Sequence, residues 1–106
     1  MEAPQYALNG EFEITTHPHE MRMSLWVYSP VITERATGSV LLDLTGSPWD
    51  LRRIEEGRGR ILMTLMRYPD GDREYMIEVA PFEAIAIVEG EAYPLAELGV
   101  VLNAIA

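Results

Sequence analysis

Apolar and polar residues alternate with a period of two along most of this chain, in short runs separated by glycine- and proline-bearing turns. A run of that period buries one face of an extended strand and does not form the apolar stripe of a helix. "EFEIT" sets Phe12 and Ile14 against Glu11, Glu13 and Thr15. "MRMSLWVY" turns Met21, Met23, Leu25 and Val27 inward, with Arg22 and Ser24 outward and the outward row ending on Trp26 and Tyr28. Pro30 interrupts the ladder, and residues 31–34 continue it in extended form. "VLLDLT" then places Val40, Leu42 and Leu44 on one face.

The connections are turn chemistry. "ERATGS" offers Gly38 for a left-handed position, and "PDGD" joins "RILMTLMRY" to "REYMIEVA". Glu89–Gly90 joins "EAIAIV" to "EAYPL". Strands joined by such short loops are antiparallel neighbours, so the order is a meander.

Two segments depart from the alternation. Residues 47–57 admit two readings. One is a short helix capped by Ser47, with Pro48 in its first turn, Gly57 as its stop, and Trp49, Leu51 and Ile54 buried. The other is an irregular strand leading into Arg60. Residues 94–104 are clearer: Leu95, Leu98, Leu102 and Ile105 mark one helical face, and Gly99 permits close approach to the sheet. The expected fold is mainly β, one domain over residues 1–106 with a short lead over 1–9. A single antiparallel β-meander forms a curved sheet or small barrel, and one C-terminal α-helix packs on it. Several strands are apolar on both faces, so the sheet curls or a second face is covered by the helix or another subunit.

Composition narrows the chemistry. A chain of 106 residues holds one compact domain. With no cysteine it has no disulfide, thiolate metal site or cysteine nucleophile. Its 8 basic residues are all arginine, which removes lysine chemistry and, with abundant alanine and glycine, suggests a GC-rich bacterial genome. A net charge of −9 repels phosphate backbones and attracts basic proteins. No apolar run approaches the roughly 20 residues of a membrane span. "MEAPQYALNG" lacks the basic start and apolar core of a secretory signal, so the expected location is cytoplasmic.

"HPHE" holds both histidines. On a strand His17 and His19 project to one side, as two ligands of one metal must, but no third nitrogen or sulfur ligand exists and only carboxylates such as Glu20 or Asp43 remain. The expectation is a strand entry without metal, and neither a cofactor nor a catalytic residue is assigned. G-x-S-x-G, the P-loop and G-x-G-x-x-G are all absent. Arg52, Arg53, Arg58 and Arg60 interleave with Glu55 and Glu56, which reads as a locally paired, solvated face.

The expected function is a non-enzymatic, acidic protein-binding module of a bacterial cytoplasm, of inhibitor, immunity or accessory type. Its partner is a protein, basic in character, with no nucleic acid or membrane. A homodimer is also expected, through Trp26 and Tyr28 or through Val100 and Val101, which stand off the main apolar rows. The alternative is a small barrel binding an apolar ligand or a metal, with catalysis through His17, His19 and a carboxylate.

Overall fold

A computed structural model of the chain describes residues 4–20, 26–68 and 73–105. The inward positions expected at Met21, Met23 and Leu25, and the "PDGD" turn, lie outside the described residues. Among the described residues, nine strands follow in chain order: β1 (Gln5–Ala7), β2 (Phe12–Glu20), β3 (Trp26–Glu34), β4 (Val40–Asp43), β5 (Trp49–Gly57), β6 (Arg60–Arg67), β7 (Glu74–Ala80), β8 (Ile85–Val88) and β9 (Glu91–Pro94). A 3-10 turn, Leu95–Glu97, leads into helix α1, Leu98–Ile105. Every pairing is antiparallel between sequence neighbours, as the turn chemistry requires.

The meander divides into two sheets: β1-β2-β3-β4 and β5-β6-β7-β8-β9, not closed into a barrel. Ladder pairing stops at the link between β4 and β5, where Ser47 and Pro48 bend the chain. Pro48 has no N–H to give to a ladder. The two sheets face each other over one core. Phe12, Ile14, Ile32 and Leu42 come from the N-terminal sheet, and Trp49, Met63, Leu65, Ile77 and Val79 from the C-terminal one. Leu95, Leu98 and Leu102, spaced three and four apart, are fully buried in the same cluster. Each such side chain contributes about 1.5–3 kcal/mol on burial, so the helix is held by packing and not by its two turns of hydrogen bonds. Gly99 faces Leu44, where an added Cβ would lie 3.4 Å from Leu44 Cδ2, so helix and β4 end meet closely.

Three features refine the sequence reading. Residues 49–57 form the irregular strand, with a bulge between Leu51 and Arg53. The lead over 1–9 contains β1, hairpinned to β2 through Leu8, Asn9 and Gly10, all at positive φ. Val40 does not share a face with Leu42: a second bulge makes Ile32 pair with Leu42 and Thr33 with Val40, skipping Leu41. One extra residue reverses the alternation, and Val40 is left 57% exposed while Leu42 is buried. Among the described residues, no helix is long and apolar enough to cross a membrane.

Candidate functional site

The two sheets are stitched at their seam by side chains. The Tyr28 N–H donates to Asp50 Oδ1 at 2.7 Å, and Asp50 Oδ2 accepts from Arg52 at 2.9 Å. Near the far end of β5, the Leu8 N–H donates to Glu56 Oε1 at 2.8 Å. Along β5 lies a cleft of about 330 Å³, lined by Gln5, Thr16 and Tyr28 from one sheet and by Asp50, Arg52 and Arg53 from the other. Among the described residues, the buried Thr16 hydroxyl has no hydrogen-bond partner. Both oxygens of Asp50 are occupied, and Arg53 lies 3.4 Å from Glu55, so much of the cleft's charge is already compensated.

His17 stands exposed on the outer face of β2, its Nε2 3.0 Å from Thr15 Oγ1. Asp43 is close enough to feel His17 electrostatically, but its carboxylate bonds to the hydroxyl and N–H of Thr45, and chiefly that hydroxyl lowers its pKa below 3.8. A threonine, a histidine and an aspartate thus share one region without the aspartate–imidazole hydrogen bond that orients a general base. His19 lies in the same strand, at the register opposite Val27. Among the described residues, no group of three or more metal-ligating side chains converges.

Of the large exposed apolar residues, Trp26, Val40 and Val100 line two separate grooves, whereas Tyr6, Met76 and Phe82 line neither. Trp26, 55% exposed, lies with Met66, Arg67 and Tyr68 beside Asp50 and Arg52, in a groove of about 300 Å³. Tyr28, half-buried, lines the seam cleft instead. The second groove, about 450 Å³, runs between β4 and the C-terminal helical segment. Val40 and Leu41 stand on its strand side, Ala96, Gly99 and Val100 on its helix side, with Asp43 as its charged lining residue. Val100 is 75% exposed, whereas its neighbour Val101 is half-buried against the core. Each of the two alternative contact pairs, Trp26 with Tyr28 and Val100 with Val101, is therefore divided, and the bulge at Leu41 hid Val40 from the alternation.

Charge is unevenly distributed. The arginine cluster is largely paired locally, through Arg52–Asp50, Arg53–Glu55 and Arg60–Glu78. Residues 74–106 carry six glutamates and no basic residue. No protein-family model matches the chain, and comparison with curated proteins and with solved structures finds no significant match.

Proposed function

We propose that this chain is a non-enzymatic, acidic protein-binding module of a bacterial cytoplasm, of inhibitor or accessory type. Its basic partner docks on the groove between β4 and α1. The observation that supports this is that Val40 and Val100, 57% and 75% exposed and from different elements, both line one groove. Single exposed apolar side chains are ordinary; two large ones from different elements on one groove mark a contact surface. A net charge of −9, with residues 74–106 free of cations, favours a basic partner. Self-association through the same groove is the second reading, favoured by the same two valines. It differs in salt dependence, because screening weakens repulsion between two chains of −9 and tightens their apolar contact.

The test compares wild type with Val100→Arg as immobilised baits at low and high salt. Val100 is exposed, so the substitution leaves the core intact. A basic protein retained by wild type, lost with the variant and released by salt is the expected result. Identical retained proteins on both baits would overturn the assignment.

A further inference from the structure

Resting on that protein-contact reading, we propose that the partner enters the groove as an extended strand that pairs with the free edge of β4 and sets a basic side chain beside Asp43. β4 is terminal in the order β1-β2-β3-β4. Val31 pairs with Asp43, and the Leu44 N–H donates to the Pro30 carbonyl at 3.1 Å. A bond in that position marks Val31–Asp43 as a pair that exchanges no hydrogen bonds, so the N–H and C=O of Asp43 turn away from β3 toward the open edge. Such an edge templates a further strand. The helical segment lines the same groove, with Ala96 and Val100 contributing beside Val40 and Leu41 of the strand. A strand edge beside an apolar wall gives main-chain hydrogen bonds for affinity and pockets for alternate side chains.

Charge selects the occupant. Asp43 is the charged residue of the lining, and Thr45 holds it ionised. A second copy pairing edge to edge would bring −9 against −9 and place two Asp43 side chains on one new sheet. A strand carrying arginine or lysine meets attraction instead.

The probe is an acetylated, amidated hexapeptide of alternating valine and arginine, titrated into the isotope-labelled protein and followed by amide shifts and hydrogen exchange. Two controls accompany it: the same peptide N-methylated at alternate backbone nitrogens, and its valine–glutamate counterpart. Expected are shifts at Val40, Asp43 and Val100, and exchange of the Asp43 amide slowed about tenfold at about ten times Kd. Both controls should fail to bind, and Asp43→Asn should weaken the valine–arginine peptide about two- to fivefold. Equal binding of the N-methylated peptide overturns strand pairing and leaves the protein-contact reading standing. Equal binding of the valine–glutamate peptide overturns the charge selection. Perturbation elsewhere, or none, overturns the proposal, while loss of partner capture with Val100→Arg would still uphold the broader reading. Concentration-dependent shifts at Asp43 without peptide would assign the edge to a second copy and overturn it as well.

Discussion

Ser29 in β3 gives its buried hydroxyl proton to the carbonyl oxygen of Trp49, the first residue of β5, across 3.0 Å. The Ser47 carbonyl lies 3.3 Å from the same hydroxyl. With the Tyr28–Asp50 bond beside it, this contact joins the two sheets where no ladder runs between them. Ser29→Ala leaves the Trp49 carbonyl without that donor, and the expected cost is about 1–3 kcal/mol. Denaturant unfolding measures it, with the midpoint falling and the slope unchanged. A loss below about 0.5 kcal/mol would show that water replaces the hydroxyl.

Trp49 also ties the helix to the core. Its ring is fully buried edge-on to Tyr75 at 5.3 Å, and its indole N–H donates to Asn103 Oδ1 at 3.2 Å. Asn103→Ala should cost about 1 kcal/mol and Trp49→Ala about 3–5 kcal/mol. Fluorescence separates the two tryptophans: Trp26→Phe should leave a blue-shifted, quencher-protected emission, and Trp49→Phe a red-shifted, accessible one.

How legible the fold was in the sequence turns on Leu51 and Ile54. Their spacing of three suggests a helix, yet both lie on a strand and both face the core, opposite Leu65 and Met63. The bulge supplies the extra residue that makes this possible, and a bulge has no periodicity signal of its own. Elsewhere alternation and turn chemistry gave the strand order but not every bound: β2 runs on through His17 and His19 to Glu20, where a strand entry was expected, and Pro30 pairs with Thr16 instead of interrupting the ladder. β1 was missed as three residues are too few to alternate, although Asn9–Gly10 is a strong hairpin signal. Of the contact residues, Val100 stood out by lying off the helical stripe. Val40 did not, since a second bulge reversed its face. Deleting Arg52 should remove the first bulge while leaving Ile54 opposite Met63. Circular dichroism should keep its β signature, with a cooperative thermal transition. A non-cooperative melt would place the bulge among the features the fold requires.

Asp43 sets a pH dependence. Its carboxyl is lowered from 3.8, first by the Thr45 hydroxyl and then by the Thr45 N–H, against a desolvation effect that raises it. Because the folded value lies below the unfolded one, its stabilisation is fully present above the ordinary value and is lost as pH falls through the folded value. Titration of the Asp43 carboxyl by NMR should give a midpoint below 3.8, moved upward by Thr45→Val. An unchanged midpoint in the variant would remove the hydroxyl as the leading cause.

Tyr93 provides the opposite sign. Its hydroxyl donates to Glu91 Oε2 at 3.0 Å, and that bond raises its pKa above 10.0. The associated stabilisation is present below the ordinary tyrosine value and is lost as pH rises through the folded one. Ultraviolet titration should show Tyr93 ionising earlier in Glu91→Gln.

Light scattering across a salt series, on the protein alone and mixed with its captured partner, tests most directly whether the face of β4 and α1 takes a basic protein. Charge complementarity predicts a mixed complex that depends on Val100 and dissociates as ionic strength rises. A Val100-dependent assembly of identical chains that tightens with salt, with no mixed complex at any ionic strength, would contradict it.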